Sequence, residues 1–318
     1  MNNGTDVKMF YLHAFANMRF KCLYFAFFLI VYLVTMIGNF LIIVLTIKDH
    51  LLQTSMYFLL RNLAFLDICY TSTTLPQLLV NLLIEHLAIS LPACIVQLFA
   101  FLSLAASESS LLASMAYDRY VAICNPLRYS VLMSKNVCLQ MVTGTWIIGV
   151  IFGTIHTVNT FRLPFCGSNV LNHYFCDIPP LLKISCIDTL PNEATVFAVG
   201  GFLMHGCFLM IFGSYIQIFC SVLRIPKGCG RKKGLSTCVS HLTVVLLFYG
   251  SGSCMYFRPK SKVLANKEWL LSLFYTSITP LLNPLIYSLR NKDIQGAFQR
   301  QFAFYALVFL KKTFEKYA

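Results

Sequence analysis

Seven stretches of this chain are apolar over roughly 20 residues or more, the length that an α-helix rising about 1.5 Å per residue needs to cross the hydrocarbon of a bilayer. They run approximately Cys22–Ile47, Met56–Leu79, Pro92–Ala122, Cys138–Thr160, Ala194–Leu223, Ser236–Phe257 and Trp269–Leu289. Lipid offers backbone amides no partner, so a spanning segment must be a helix or a strand of a closed barrel. None of the runs shows the alternation of barrel strands. The expected fold is therefore an all-α membrane protein, a seven-transmembrane helix bundle over residues 22–289, flanked by segments 1–21 and 290–318. A chain that is 58% hydrophobic and 12% charged, with mean hydropathy +0.70, is no ordinary soluble domain.

The formal net charge is +13. The basic residues sit between the spans and at the chain ends rather than on one polar face, so they report topology and not a nucleic-acid partner. Lys48, Arg119, Arg128, Lys135, Arg224, Lys227, Arg231, Lys232, Lys233, Arg290, Lys292, Arg300, Lys311, Lys312 and Lys316 fall on one side, and nine cations, Lys8, Arg19, Lys21, Arg162, Lys183, Arg258, Lys260, Lys262 and Lys267, on the other. This places the N-terminus outside and the C-terminus in the cytoplasm. The sequon Asn3-Gly4-Thr5 agrees, because only a lumenal Asn is glycosylated. No signal peptide is expected; the first span serves as the insertion signal.

Of 13 cysteines, most lie within spans or near the inner face, where they read as small apolar residues. Cys94, at the outer tip of span three, and Cys166, Cys176 and Cys186, in the loop of about thirty residues before span five, occupy an oxidising context. Four thiols allow three pairings, and spacing does not choose among them.

Two carboxylates lie inside the membrane, Asp67 in span two and Glu108 in span three, each costly in hydrocarbon without a partner. Asn39 in span one, and Thr279 with Asn283 on one face of span seven, are the candidates, forming a hydrated polar cluster, a site for a small cation such as sodium, or a packing element. Arg61 reads as a side chain that snorkels to the interface. On span three Leu102, Ala105, Ala106 and Ser109 share one face with the spacing i, i+3, i+4, i+7, beside Phe101. Small residues there serve either close helix packing or a ligand.

Seven motifs, in order and each at a fixed place relative to a span, carry a resemblance over nearly the whole chain. They are Gly38-Asn39, SMYFLLRNLAFLD from Ser55 to Asp67, MAYDRYVAICNPLRY from Met115 to Tyr129, Ser214-Tyr215, LSTCVSHL from Leu235 to Leu242, FYG from Phe248 to Gly250, and PLLNPLIYSLRNKD from Pro280 to Asp293. The chain resembles the vertebrate odorant receptors, rhodopsin-like G-protein-coupled receptors of the plasma membrane.

The resemblance implies disulfides Cys94–Cys176 and Cys166–Cys186, and a polar core of Asn39, Asp67 and Glu108. It implies a small, mostly apolar ligand in the outer half of the bundle between spans three, five, six and seven, and the absence of acidic or basic residues among the implied lining positions favours a neutral volatile. The implied lining is Phe101, Leu102, Ala105, Ala106, Ser109, Leu203, Gly252, Ser253, Tyr256, Leu273 and Thr276. It further implies a switch in which Tyr249 senses the ligand, Asp118 holds Arg119 until it turns toward Tyr215 and Tyr287, and span seven bends at Asn283-Pro284. The implied partners are the odorant, membrane lipid and a stimulatory, olfactory-type heterotrimeric G protein that raises cAMP; no cofactor is expected.

The chain departs from the family pattern in places. LQTSMYF puts Gln53 and Ser55 where His and Pro are usual, KGLSTC puts Gly234 and Leu235 where Ala and Phe are usual, and the tail beyond Lys292 is longer and more apolar. Phe298, Phe302, Tyr305 and Phe309, with Lys311 and Lys312, have the spacing of a helix lying on the membrane surface. A transporter would show internal repeats and an enzyme a catalytic motif; neither is visible. A rhodopsin-like receptor for a non-odorant molecule is the nearer rival.

Overall fold

The computed structural model describes residues 7–13, 20–84, 87–166, 168–224, 229–256 and 268–301. Asn3, the tail residues Phe302, Tyr305, Phe309, Lys311 and Lys312, and the side chain of Tyr256 lie outside the described part. Each apolar run forms one helical unit, extended a few residues beyond the hydrocarbon length. They are α1 (Lys21–Lys48), α2 (Ser55–Leu83), α3 (Leu91–Cys124), α4 (Lys135–Phe161), α5 (Leu190–Arg224), α6 (Cys229–Tyr256) and α7, built of Glu268–Leu273, a π-helical turn Phe274–Ile278, and Thr279–Arg290. α5 carries a second π turn, Val196–Gly200. A short helix, α8, covers 292–301.

α3 is the axis of the bundle. It packs along α2, α4 and α5 and also meets α6, and almost every residue from Phe101 to Ala116 is buried. Its ends are set locally: the Ser90 hydroxyl accepts from Ala93 N at 3.4 Å with Pro92 in the first turn, and Pro126 stops it past Asn125. Large apolar side chains of α1, α4 and α5 such as Ile30, Ile37, Phe40, Ile147, Ile151 and Phe212 remain exposed, the outward face expected of helices bathed in lipid.

α4 reaches α3 so closely because of two glycines. A Cβ at Gly149 would overlap Ser107 Oγ and Ser103 O, and one at Gly153 would overlap Ser103 Oγ and come to 2.9 Å from Phe99 O. Backbones approach in this way only where one helix has no side chain. Ser107 uses the contact, donating to Ser103 O at 2.9 Å and to Thr145 O of α4 at 3.2 Å.

One end of the bundle is roofed by chain outside the spans. β1 (Met9–Leu12) pairs antiparallel with β2 (Leu87–Ser90), Met9 opposite Ser90, and parallel with β3 (Val170–Leu171). The loop carrying β3 also forms a helix at Ile178–Lys183, capped by Asp177. Two disulfides fasten it, Cys94–Cys176 to the tip of α3 and Cys166–Cys186 within the loop. Of the three pairings that the cysteines alone left open, this is the one that the family resemblance implied.

At the opposite end α8 folds back on the turn after α1. Arg300 donates to Asp49 Oδ2 from Nε at 2.9 Å and Nη2 at 2.7 Å, and Tyr57 donates to Asp293 Oδ2 at 3.2 Å. Arg61, read from the sequence as a side chain that snorkels to the interface, bends to the last turn of α1, donating to Thr46 O at 2.9 Å and Thr46 Oγ1 at 3.3 Å. Ser55, where the family usually has Pro, donates to Met133 O at 2.8 Å and so ties the start of α2 to the turn before α4.

Candidate ligand cavity and signalling end

Beneath the roof lies a cavity of about 100 Å³. Its wall is Phe101, Leu102, Ala105 and Ala106 of α3, Phe152 and His156 of α4, Val196, Phe197, Gly200, Leu203 and Met204 of α5, Phe248 and Gly252 of α6, Tyr70 of α2, Tyr275 of α7 and Ile178 of the loop. Both π turns contribute, α5 through Val196, Phe197 and Gly200 and α7 through Tyr275. A π turn widens a helix by one residue and re-aims the side chains around it.

Six of the residues expected at a pocket are in this wall: Phe101, Leu102, Ala105, Ala106, Leu203 and Gly252. Others stand elsewhere. The Ser109 hydroxyl is 2.9 Å from the Tyr249 hydroxyl, Thr276 lies 2.7 Å from the Tyr174 hydroxyl, Leu273 is buried outside the wall, and Ser253 is exposed. The contribution of α4 was not foreseen. Its signal was present, since Gly149, Phe152, Gly153 and His156 follow i, i+3, i+4, i+7, so the glycines that seat α4 on α3 turn Phe152 and His156 inward.

The loop that closes the cavity is itself a buried element. His173 to Asp177 have no exposed surface. His173 Nε2 lies 2.9 Å from Ser272 Oγ, Tyr174 reaches Thr276, and Tyr275 donates to Asp177 Oδ2 at 3.1 Å, so three bonds join the strap to α7. Gln97 accepts from Cys176 N at 3.0 Å beside the disulfide. Burial pushes the His173 imidazole down to about 3, so it is neutral at physiological pH.

In the middle of the bundle Asn283 Nδ2 donates to both oxygens of Asp67, at 3.0 and 3.1 Å. Glu108 lies within electrostatic reach of Asp67, and its Oε1, Asn283 Oδ1 and the Tyr287 hydroxyl have no protein partner among the described residues. Thr279 does not join this cluster; it donates to Phe274 O at 3.4 Å, in the π turn. Asn39 serves the backbone. Pro284 has no amide hydrogen, which deprives the carbonyl of Pro280 of its helical partner, and Asn39 Nδ2 donates to that carbonyl at 3.4 Å. Gly38 lets the proline ring approach, since a Cβ there would already be 3.2 Å from it. The pair Gly38-Asn39 and the proline are thus one device for holding a weakened helix against α1.

At the end far from the disulfides Arg119 Nη2 is 2.6 Å from Asp118 Oδ2, and Tyr129 donates to Asp118 Oδ1 at 2.8 Å. Tyr215 does not meet Arg119; its hydroxyl is 2.8 Å from His241 Nδ1, while His241 Nε2 lies 3.1 Å from Leu112 O. His241 therefore joins α6 to α5 and α3 at once. Met56, Met115, Asp118, Arg119, His241 and Tyr287 line a narrow cleft there.

The olfactory receptor family profile matches residues 28–304. The chain is 45% identical to mouse olfactory receptor 5AR1, over 94% of this chain and 96% of that one, and 46% identical to human olfactory receptor 11L1, over 94% and 93%. The chain belongs to the olfactory receptor family. Squid rhodopsin has the same fold, with a TM-score of 0.70 at 20% identity over 89% of this chain and 86% of that one. This olfactory receptor is thus a rhodopsin-like G-protein-coupled receptor, a multi-pass protein of the plasma membrane and not an enzyme. Family membership brings an odorant ligand and coupling to a G protein.

Proposed function

We propose that this olfactory receptor binds a small, mostly apolar, neutral volatile molecule in the cavity between α3, α4, α5 and α6, and in response activates a stimulatory, olfactory-type G protein that raises cAMP. The wall of the cavity carries the reading. Among the described residues no Lys, Arg, Asp or Glu side chain lines it, so a carboxylate or ammonium ligand would be buried there without a counter-charge. Removing apolar surface from water is worth about 25 cal/mol per Å², and a ligand hiding ~150 Å² gains roughly 4 kcal/mol on that basis.

Ligand binding shifts the bundle only through a difference in affinity between two arrangements, commonly about 1–3 kcal/mol. The disulfide end faces outward and the Arg119 end faces the cytosol, as the basic residues favour. Arg119 engaged with Asp118, and Tyr215 engaged with His241, make up the resting arrangement. When α6 swings away, Tyr215 is released and Arg119 turns toward it and toward Tyr287, opening the cleft to the G protein. Asn283-Pro284 supplies the bend in α7.

The test is cAMP accumulation in cells displaying the full-length chain, across a panel of neutral volatiles, with Arg119→Ala beside the parent. The parent responds and Arg119→Ala does not. Displayed parent that stays silent to every ligand, or Arg119→Ala that signals equally well, overturns the proposal.

A further inference from the structure

His156 stands apart among the polar groups of the cavity. It is 1% exposed, and neither ring nitrogen has a hydrogen-bond partner among the described residues. Nearly all buried polar atoms in proteins are hydrogen-bonded, so a side chain with both nitrogens unpartnered requires a reason. The other polar side chains of the wall are engaged: Tyr275 donates to Asp177, and Tyr70 stacks on Phe101 with ring centroids 5.2 Å apart.

The setting of the ring excludes a mobile surface histidine. Gly149 and Gly153 hold α4 against α3, and Phe152, one turn earlier, lies 4.3 Å from the imidazole between centroids. Its side chain enters a wall otherwise made of Phe, Leu, Ile, Val, Ala, Met and Gly residues and the two tyrosines Tyr70 and Tyr275. A buried water needs two to four polar partners, and the apolar wall provides few beside His156.

From this placement we infer that His156 is the polar anchor of the binding site and that it sets the ligand class: compact molecules with an apolar skeleton and one neutral oxygen function, a hydroxyl or a carbonyl, in preference to hydrocarbons of the same shape. The inference rests on the proposed odorant site and deepens it. A neutral imidazole carries one N–H donor and one bare nitrogen acceptor. An alcohol satisfies either nitrogen, an aldehyde or ketone accepts from the N–H, and a hydrocarbon leaves both unpaired. A site whose buried polar group pairs only with the right ligand discriminates by the cost of leaving that group bare.

The experiment compares full-length parent, His156→Leu and His156→Gln, matched for surface display, in a cAMP assay with 1-hexanol, hexanal, 2-hexanone and n-heptane. The parent responds to its best oxygenated ligand at a concentration at least about ten-fold below that for heptane. His156→Leu loses roughly ten-fold or more in potency for that ligand while its heptane response is unchanged or improved, and His156→Gln, which keeps a donor and an acceptor, stays within about three-fold of the parent.

Equal loss for the oxygenated ligand and for heptane in His156→Leu assigns the residue to packing and overturns the inference. So does a parent that responds equally to alcohol and hydrocarbon, a result that needs no variant to fold. Both outcomes leave the receptor reading standing. A displayed parent silent to the panel and to the wider set of neutral volatiles overturns the receptor reading and this inference with it.

Discussion

Ser109 on α3 and Tyr249 on α6 place their hydroxyl oxygens 2.9 Å apart, one helical turn from Ala105 and Ala106 of the cavity wall. The family resemblance implies Ser109 at the ligand and Tyr249 in the switch. The structure makes them a single contact between α3, which the proposed site uses to hold the ligand, and α6, the helix proposed to move. Loss of a hydrogen bond of this kind is worth about 1 kcal/mol, roughly five-fold in an equilibrium constant. Tyr249→Phe is expected to raise basal cAMP several-fold at equal surface display. Ser109→Ala, Tyr249→Phe and the double variant together form a cycle whose coupling should be about 1 kcal/mol; additive single effects would mean that the contact does not hold the resting state.

A second lock is proposed at the Arg119 end of the bundle. Asp118 is 1% exposed and is bonded to Arg119 on one oxygen and to Tyr129 on the other. Asp118→Asn removes the charge that retains Arg119, and Tyr129→Phe removes only a neutral donor. Both should raise basal signalling, Asp118→Asn more, since hydrogen bonds to charged groups contribute about 1.5–3 kcal/mol against about 1 for neutral ones. Basal cAMP against surface staining gives the ranking, and the reverse order would remove Asp118 from the lock.

Much of this arrangement was legible in the sequence, and the parts that were not share a physical cause. Apolar run length marks a spanning helix because lipid imposes that length, and the seven runs became seven helical units. The faces of α3 were readable because Leu102, Ala105 and Ala106 repeat with the helical period. The hydrogen bonds of Ser109 to Tyr249 and of Thr276 to Tyr174 were not legible, because a hydroxyl near a cavity does not reveal its partner in the sequence. The π turns at Val196–Gly200 and Phe274–Ile278 shift the register of α5 and α7 by a residue, which no periodicity count anticipates. His156 becomes legible only with the packing of Gly149 and Gly153, which fixes the face of α4 that turns inward.

That packing gives a direct test. A side chain at Gly149 or Gly153 would collide with Ser103, Ser107 or the α3 backbone, whereas a Cβ at Gly144 on the same helix meets nothing within 4 Å. Gly149→Val and Gly153→Val should abolish surface display, because overpacking a close helix contact costs about 1–3 kcal/mol or more. Gly144→Ala should display normally. Flow cytometry on an N-terminal tag checks this, and normal display of both valine variants would contradict the α3–α4 contact.

The two disulfides should differ in weight. Cys94–Cys176 closes a separation of 82 residues and Cys166–Cys186 one of 20. In the chain-entropy account the longer loop gains more, by about 1 kcal/mol. Cys94→Ser is expected to lower thermal stability of the solubilised receptor more than Cys166→Ser does, and the opposite order would show that local packing of the strap dominates.

The strap over the cavity carries a dependence on pH that one residue should account for. Burial holds His173 down to about 3, against an ordinary imidazole value of 6.5. Between those values the unfolded chain binds a proton that the folded chain refuses, so stability falls as pH is lowered. The contribution is intact above about pH 6.5 and is lost progressively below it. At pH 5 the loss amounts to about 2 kcal/mol, because one proton over 1.5 pH units is worth ~1.36 kcal/mol per unit. His173→Asn keeps a polar group facing Ser272 but does not titrate. Melting temperatures of parent and variant in detergent at pH 7.5 and pH 5.0 isolate the difference, since the two chains differ only at residue 173. The parent should lose several degrees more than the variant, and parallel profiles would show that His173 takes up its proton without leaving Ser272.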